Sequence, residues 1–356
     1  MSMWRKWPAT AASRCCFISW ILATWLLLTM TVGTTAAEPV QGARTFPLEM
    51  DALMGALTEA HRPEPSDAMA FPRVVDYSYL AYDIARDRLQ EEQRSVTIPR
   101  QPQRIIPQAI GITEILWAIC PRERIIAVHQ SCRDRRFSFI AGQLPEKLPS
   151  YGTNDAEIVI GHQPDLVLTT YYSDENFLHQ LRQAEVPNVQ LGFFGNLEQI
   201  EEQILLIGRL IGEERSARQL TDTMAEKIKA IQAYAESRRG DRPLTVLYYD
   251  NMGYVAGRNS TFDSMCHLLG VVNIASAKGI DYFKQVDYET LLQWNPDMII
   301  IPAESAFDQQ LYDSPILASG KAIRQRNIRK IPSVYLLSAS QYLVASTNYL
   351  AGLIYE

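Results

Sequence analysis

One short motif occurs twice in this chain and strongly limits its possible folds. Residues 155–168 read DAEIVIGHQPDLVL, and residues 287–300 read DYETLLQWNPDMII. Each copy combines an Asp, a Glu two positions later, a Pro-Asp pair and an aliphatic run. The first Asp is suited to cap a helix, the Glu belongs in its first turn, and the Pro ends it before a buried strand. The repetition predicts two similar lobes, each with one glutamate at its exposed end.

Short aliphatic runs alternate with helical patterns through most of the chain. The predicted strands are RIIP (104–107), RIIAVH (124–129), DLVLTT (165–170), NVQLGFF (188–194), LTVLYYD (244–250), MIIIPA (298–303) and SVYLLS (333–338). Helical stretches separate most of these runs, and this alternation is typical of parallel α/β layers.

A single long helix is predicted between the two series of strands. Its apolar residues recur at helical spacing until Gly240 and Pro243, and they are Ala217, Leu220, Met224, Ile228, Ile231 and Ala235. Such a helix is about 40 Å long and is suited to bridging two lobes. The predicted fold is therefore α/β, with two Rossmann-like lobes that have central parallel sheets. One long α-helix joins the lobes, and a ligand cleft lies between them.

Residues 1–37 have the order of a secretory signal peptide. Basic residues come first, an apolar run follows, and small residues precede Glu38. We therefore expect export and cleavage after Ala37, and an uncleaved membrane anchor is the alternative. The predicted parts of the chain are a signal peptide (1–37), an N-terminal extension (38–100), an N-terminal lobe (101–212), a linking helix (213–240) and a C-terminal lobe (241–356).

The N-terminal extension carries no motif that predicts a function. Residues 48–61 and 77–93 are predicted as helices, and residues 62–67 as a linker between them.

Charge and cysteine content narrow the range of functions. The formal net charge is −6, which disfavours nucleic acid as a partner. Three cysteines follow the signal segment, Cys120, Cys132 and Cys266, so at least one has no disulfide partner within the chain. A predicted strand separates the first two by roughly 15–20 Å, which is too far for a bridge. We expect free, mostly buried thiols.

Several segments resemble the iron-complex and cobalamin binding proteins of bacterial ABC importers. They are VTIPRQPQRIIPQAIGITEILWAI (96–119), LPSYGTNDAEIVIGHQPDLVL (148–168), the long helix, VAGRNSTFDSMCHLLGVVNIA (255–275), the second repeat and SPILASGKAIRQRNIRKIPSVYLLS (314–338). The resemblance covers about residues 95–350, and most of the extension lies outside it. In that family each lobe carries an exposed glutamate that docks onto arginines of the membrane permease. The resemblance assigns this role to Glu157 and Glu289.

A ligand cleft is expected where the two lobes face each other, beyond the carboxyl ends of the strands. Tyrosine offers a flat apolar face with a hydroxyl group, and arginine favours anionic oxygens. The candidate ligand-binding residues are Arg133, Tyr151, Tyr171, Tyr249, Tyr254, Arg258, Phe283 and Tyr342. The resemblance also matches Tyr151, Phe283 and residues 248–254 to positions that line the family's cleft.

The chain shows little sign of a bare metal site or of catalysis. His129 and Cys132 form an H-x-x-C pair, which is a weak metal signal, and the other histidines make no ligand-spaced pair. We expect no metal site and no cofactor, and a metal held inside an organic chelate fits better. The chain has no Gly-rich phosphate loop, G-x-S-x-G or H-E-x-x-H motif, so we predict no catalytic residue.

The favoured hypothesis is a periplasmic substrate-binding protein that captures a chelated iron complex and delivers it to the ABC permease in the inner membrane. A ferric siderophore is the preferred ligand, and cobalamin or heme is the alternative. We expect a monomer that binds a small-molecule metal chelate and no nucleic acid. An enzyme on a chelatase-like two-lobed scaffold and a membrane-tethered sensor are the competing hypotheses.

Overall fold

The computed structural model describes residues 46–59, 71–83, 86 and 88–355. The predicted signal segment (1–37) and linker (62–67) lie outside these residues. Over the described ranges, no helix combines the length and the apolar character that a membrane span requires.

The elements follow one another in an α/β order. The strands are β1 (Arg73–Asp83), β2 (Arg88–Ile98), β3 (Ile105–Pro107), β4 (Val128–His129), β5 (Ser150–Tyr151), β6 (Leu166–Thr170), β7 (Asn188–Leu191), β8 (Thr245–Tyr248), β9 (Tyr254–Ala256), β10 (Val272–Asn273), β11 (Phe283–Gln285), β12 (Met298–Pro302) and β13 (Ile328–Ile331). The α-helices are α1 (Met50–Thr58), α2 (Ile110–Ile119), α3 (Ala156–Gly161), α4 (Glu175–Gln183), α5 (Leu197–Ile211), α6 (Glu214–Arg238), α7 (Thr261–Leu269), α8 (Ile274–Ala277), α9 (Tyr288–Trp294), α10 (Phe307–Asp313), α11 (Lys321–Arg324), α12 (Ser333–Leu336) and α13 (Leu343–Tyr355).

Parallel strands form the central sheet of each lobe. In the N-terminal lobe the order is β3-β6-β7, and a parallel bridge between Ile105 and Ile125 leads on to the β4–β5 pair. In the C-terminal lobe the order is β10-β8-β12-β13. Every residue of β6 and β12 is buried, as expected for parallel strands that are covered on both faces. The predicted two-lobed α/β fold is confirmed.

The long helix α6 packs against both lobes. All the apolar residues that predicted it are buried. The helix has 25 residues, which makes it about 37 Å long. It contacts α2 and α5 of the N-terminal lobe and α7 and α13 of the C-terminal lobe. A Cβ atom at Gly208 would lie 2.5 Å from the Cβ of Ala217, so glycine is needed for α5 and α6 to approach this closely.

Part of the N-terminal extension differs from the prediction. The first predicted helix forms as α1. The predicted helix at 77–93 is wrong, because residues 77–83 and 88–93 belong to the strands β1 and β2 of an antiparallel hairpin. In β1, the buried residues Val75, Tyr77 and Tyr79 alternate with exposed ones, which is the two-residue period of a strand with one buried face. Their β-branched and aromatic side chains also favour a strand.

The last predicted strand, SVYLLS at 333–338, is wrong as well. Residues 333–336 form the short helix α12, and the edge strand of the sheet is β13, which ends at Ile331. Pro332 lies between them at the N-cap position of α12. Because proline has no backbone N–H to donate to a sheet and is tolerated at a helix start, the chain leaves the sheet here.

The Pro-Asp pair of each repeat has the same structural role in both lobes. Asp165 accepts hydrogen bonds from the backbone N–H groups of Gln103 (2.9 Å) and Arg104 (2.8 Å), immediately before β3. Asp297 accepts them from the N–H (2.9 Å) and the hydroxyl (2.8 Å) of Thr245, the first residue of β8. Each aspartate therefore joins the strand after the repeat to the first strand of its lobe.

Burial and ion pairing shift the pKa of Asp297 in opposite directions. The residue is 3% exposed, and burial alone would raise the pKa of its carboxyl group. The Lys321 ammonium, the Thr245 donors and the Arg242 guanidinium outweigh this effect and hold the pKa well below its usual range. The carboxylate is therefore ionised and paired at neutral pH.

A buried carboxylate connects the first lobe to the segment before α13. Glu114 in α2 is 2% exposed and accepts hydrogen bonds from Phe139 N (2.9 Å), Ser138 Oγ (3.1 Å) and Ser340 Oγ (2.6 Å). Gln341 Nε2 donates to its backbone carbonyl (2.9 Å). Burial raises the pKa of Glu114 to about 7, and the three hydrogen bonds to the carboxylate limit the rise.

The three cysteines after the signal segment are buried and unpaired, as predicted. Cys132 Sγ donates to Thr113 Oγ1 at 3.3 Å. Burial raises the thiol pKa of Cys120 and Cys132 to about 12, so both are protonated and poorly reactive at neutral pH.

We predict that Glu114 makes stability depend on pH. Its folded-state pKa is raised from 4.5 to about 7, so its protonated form favours folding. That contribution is complete below the unfolded pKa and is lost as the pH rises through about 7. Between about pH 5 and about pH 8 the free energy of unfolding should fall by up to about 3 kcal/mol on this account, and Glu114→Gln should remove that part of the fall. Urea unfolding of both proteins at the two pH values measures it, and identical pH dependence would contradict the prediction.

We predict that Asp297→Asn destabilises the fold. The amide loses the ion pair with Lys321 and turns one acceptor into a donor at a buried site, which should cost about 2–4 kcal/mol in the free energy of unfolding. The wild-type contribution should be complete above the unfolded pKa of about 3.9 and should decline as the pH falls below it. The matched control is Asp287→Asn, because asparagine caps a helix as well as aspartate does. Equal unfolding midpoints for the two variants in urea would count against the structural role of Asp297.

Candidate functional site

The two repeated glutamates lie in the first turns of equivalent helices. Glu157 is in α3 and Glu289 is in α9, and both side chains are exposed. Asp287 caps α9 by accepting from Thr290 N (2.9 Å), whereas Asp155 accepts from Gly152 N (2.8 Å) in the preceding turn. Among the described residues, neither glutamate forms a hydrogen bond or an ion pair. Their carboxylates are thus available to a partner outside the chain.

An apolar side chain lies beside the first glutamate. Ile158 is 47% exposed, although it belongs to the same short helix as Glu157. A single exposed apolar side chain is common on protein surfaces, so Ile158 alone does not indicate a partner.

Aromatic side chains from both lobes meet between the sheets. We call the following residues the interlobe aromatic cluster: Tyr82, Tyr171, Tyr172, Phe193, Tyr282 and Phe283. Their ring centroids lie 5.0–6.1 Å from those of their neighbours. The loops after β6 and β7 supply Tyr171, Tyr172 and Phe193, and the segment at the start of β11 supplies Tyr282 and Phe283. The members from the N-terminal lobe therefore lie beyond the carboxyl ends of parallel strands, where open α/β sheets bind ligands.

Tyr171 and Tyr282 connect the two lobes directly. Their hydroxyl oxygens are 3.3 Å apart, and each can donate to the other. Tyr282 has a φ of +55°, which is an unusual and strained conformation for a bulky residue. Strain of this kind is concentrated at functional sites, where the surrounding structure maintains it.

The tyrosines of the cluster are neutral at physiological pH. Burial raises the pKa of Tyr171 well above its usual value, and the neighbouring Tyr282 adds to the rise. Burial also raises the pKa of Tyr172 to about 12. The site therefore offers ring faces and hydroxyl donors rather than phenolate charges.

One arginine borders the cluster. The backbone carbonyl of Arg258 accepts from Tyr282 N at 2.8 Å, and the guanidinium forms an ion pair with Asp281 at 2.9 Å. The Arg258 side chain is 53% exposed, so it can still reach an anionic group near Tyr282.

Three predicted ligand residues lie in the interior of the lobes. Tyr151 is 3% exposed and donates to Pro107 O (2.8 Å), and Tyr249 is 2% exposed and donates to Val286 O (3.0 Å). Tyr342 is fully buried under α1, with its hydroxyl 2.7 Å from Thr58 Oγ1. These side chains satisfy their hydroxyl groups within the protein and do not join the cluster, so a ligand role for them stays an untested prediction with little structural support.

Arg133, the predicted ligand residue after β4, and the nearby Arg136 are bonded within their own lobe. Arg133 donates to the carbonyl groups of Pro145 (3.0 Å) and Leu148, and Arg136 forms an ion pair with Asp134 (2.6 Å). Both arginines therefore have bonding partners within the N-terminal lobe.

The remaining predicted residues lie close to the site. Phe283 is a member of the cluster and also faces Tyr248 at 6.4 Å. Tyr254 is half-buried in β9, where it pairs with Gln285 of β11. The ligand roles of Phe283, Tyr254, Tyr171 and Arg258 stay predictions that the geometry allows.

The list of candidate ligand-binding residues omitted four members of the cluster, which are Tyr82, Tyr172, Phe193 and Tyr282. Phe193 lies at the end of a predicted strand, Tyr172 follows another, and Tyr282 precedes the second repeat, so these three had a positional signal. Tyr82 had no positional signal, because its segment resembled a helix and its ring neighbours, Phe193 and Tyr282, are distant in the sequence.

A groove of about 880 Å³ lies beside the hairpin, between β1, α5 and the start of α6. It shares Phe193 with the cluster. Its charged lining is mainly acidic and consists of Glu91, Glu198, Glu202, Glu214, Asp222, Arg209 and Arg218. Carboxylates disfavour an anionic chelate, so the groove is a poorer candidate than the cluster.

The weak metal signal has no geometric support. In the part of the chain that the structure describes, no group of three or more potential metal ligands converges. His129 Nε2 lies 3.1 Å from Thr153 Oγ1, and Cys132 is bonded to Thr113.

Comparison with known sequences identifies relatives of this architecture. Residues 111–335 match the family described as periplasmic binding protein. The chain is 24% identical over 212 residues to a cobalamin-binding protein of Halobacterium salinarum. The aligned region makes up 58% of this chain and 55% of that protein. It is 25% identical over 213 residues to YvrC, an uncharacterized ABC transporter substrate-binding lipoprotein of Bacillus subtilis. Here the aligned region makes up 58% of this chain and 66% of that protein. The chain thus matches about half the length of the first relative.

Solved structures share the fold. The periplasmic heme-binding protein RhuT from Roseiflexus sp. RS-1, in apo form, has a TM-score of 0.62 and 25% identity over 71% of this chain and 98% of that chain. A periplasmic heme-binding protein from Pseudomonas aeruginosa has a TM-score of 0.59 and 21% identity over 71% of this chain and 93% of that chain. With a family match over more than half of its length and the same two-lobed architecture, this chain belongs to the periplasmic binding protein family.

Proposed function

We propose that this protein is the periplasmic substrate-binding component of an ABC importer and that it captures an iron chelate. The observation that carries the proposal is the interlobe aromatic cluster, in which Tyr171 of one lobe meets Tyr282 of the other. Family membership and the substrate-binding names of the relatives support the importer role. Export with removal of residues 1–37, and lobes at 101–212 and 241–356 in a monomer, are parts of the same proposal.

The chemistry of the cluster favours a flat, anionic chelate. Ring faces on both sides suit a ligand with aromatic or conjugated surfaces. Arg258 beside Tyr282 adds a cation that suits anionic oxygens. A ferric siderophore with aromatic iron ligands has both properties and is the first candidate. Heme, which carries carboxylates on a flat ring, is the second, and cobalamin is the third.

We predict that the cluster determines chelate affinity. Tyr282→Ala or Tyr171→Ala should weaken binding of a ferric tris-catecholate siderophore by about tenfold, because each removes one ring face from the site. Arg258→Ala should weaken it less, because the charge is partly exposed. Tyr312→Phe is the control, since Tyr312 packs against the separate core of the C-terminal lobe. Tryptophan fluorescence quenching by the siderophore, heme and cobalamin in parallel gives the dissociation constants. Binding of free ferric ion or sugars in place of all three chelates would refute the ligand assignment.

The exposed glutamates support a docking role in the same proposal. Glu157 and Glu289 occupy equivalent positions in the two lobes, because each lies in the first turn of the helix formed by its copy of the repeat. Each carboxylate sits at a favourable helix terminus without needing a partner inside the protein. We therefore propose that both contact arginines of the permease.

We predict that charge reversal at either glutamate uncouples transport from ligand binding. Glu157→Arg and Glu289→Arg should leave chelate affinity unchanged, and uptake should fall strongly because an attractive contact becomes a like-charge clash. The matched control is Glu236→Arg, which reverses an exposed charge on the linking helix. Uptake of radioactive iron chelate in cells, beside fluorescence titration of the purified variants, measures both effects. Normal uptake by the Glu157→Arg/Glu289→Arg double variant would reduce these glutamates to ordinary helix-end charges.

A further inference from the structure

The β1–β2 hairpin lies outside the matched family region. Its strands comprise residues 73–83 and 88–98, and the family match begins at residue 111. Its two strands pair in antiparallel register from Arg73–Ile98 to Asp83–Arg88. Nothing in the proposed importer role accounts for this segment.

The middle of the hairpin is fixed to the edge of the N-terminal sheet. Phe193 N donates to Leu80 O at 2.7 Å, just beyond the end of β7. Arg94 donates to Gln190 Oε1 at 3.0 Å, and its guanidinium lies 3.3 Å from the ring centroid of Tyr79. The hairpin therefore extends over the strand whose end supplies Phe193 to the cluster.

The base of the hairpin is fixed to the helices that lead into the second lobe. Arg73 forms an ion pair with Glu214, at the start of α6, and donates to Arg209 O at 2.9 Å. Arg209 in turn donates to Asp76 O at 3.2 Å. Because these contacts hold both the base and the middle of the hairpin, they also fix the position of the far end of β1 relative to the N-terminal lobe.

Tyr82 places this far end between the two lobes. Its ring centroid lies 5.0 Å from that of Tyr282 and 6.1 Å from that of Phe193, and the residue is 7% exposed. Tyr282 belongs to the C-terminal lobe and Phe193 to the N-terminal lobe. A residue of the extension thus contacts both sides of the proposed ligand site.

We propose that the β1–β2 hairpin forms a third wall of the ligand cleft and that Tyr82 contacts the bound chelate and determines which chelates fit. This inference rests on the proposed function. A third aromatic wall narrows the site on the side of β7, so it discriminates by size and by the shape of the chelate's ring surface. Removing the Tyr82 ring widens this side, and the ratio of affinities for two chelates of different shape changes.

Paramagnetic broadening tests the position of Tyr82 directly. The full-length mature protein carries 3-fluorotyrosine at position 82, or at position 282 or 312 for comparison, and is titrated with a ferric tris-catecholate siderophore or with ferric heme. The paramagnetic iron should broaden the fluorine signals of positions 82 and 282. It should leave the signal of position 312 sharp, because Tyr312 packs in the separate core of the C-terminal lobe. The gallium forms of the same chelates should bind without broadening.

The outcomes separate this inference from the proposed function. Broadening at 282 but not at 82 would overturn the third-wall proposal and leave the chelate-binding proposal standing. No binding of either chelate by fluorescence would refute the proposed function, and this inference would fall with it. Broadening at both 82 and 282, with 312 sharp, supports the proposal.

Affinity ratios test the selective role of Tyr82. Tyr82→Ala should change the ratio of the dissociation constants for the siderophore and heme by at least about fivefold, and Tyr82→Phe should leave the ratio within about twofold of wild type. Val74→Ala is the control, because Val74 lies on the same strand and is 63% exposed. An unchanged ratio in Tyr82→Ala, with folding shown by an unaltered circular dichroism spectrum, would contradict the selective role.

Discussion

The buried stripe of the linking helix is the interaction on which the rest of the structure depends. This helix contacts α2 and α5 of the N-terminal lobe and α7 and α13 of the C-terminal lobe, so one rigid element sets the relative position of the two lobes. Gly208 allows the close approach of α5 to α6, and α5 carries the chain directly from the cluster to α6. The meeting of Tyr171 and Tyr282 is a consequence of this arrangement, because neither lobe alone can bring the two hydroxyl groups together.

The repeated motif combines a structural and an interaction role in each lobe. Its last aspartate fastens the following strand to the first strand of the lobe through backbone N–H groups, in the same way at Asp165 and Asp297. Its glutamate is exposed and makes no bond to any other described residue. The first role accounts for the fold, and only the second requires a partner. Duplication of the whole motif therefore links lobe architecture to the proposed contact with a permease.

Much of the fold could be predicted because its signals are local. Helical spacing identified the buried face of α6, and the Pro-Asp pair marked the starts of β6 and β12. The site was harder to predict, because position after a strand does not determine which way a side chain points. Tyr249 follows β8 as expected, yet it turns inward to Val286, and Tyr342 is covered by α1 from the extension. Tyr82 could not be found from its own segment, since its strand is defined by pairing with β2 and its partners lie in two other parts of the chain.

The central claim is that a metal chelate binds between the lobes, against the interlobe aromatic cluster. A crystal structure of the protein with the ferric siderophore, measured at the iron absorption edge, locates the metal independently of any assumption about the ligand's pose. The account predicts one strong anomalous iron peak between the lobes, with the chelate's rings against Tyr171, Tyr282 and Tyr82. An iron peak in the acidic groove beside Glu198 and Glu202, with the cluster unchanged, would contradict it.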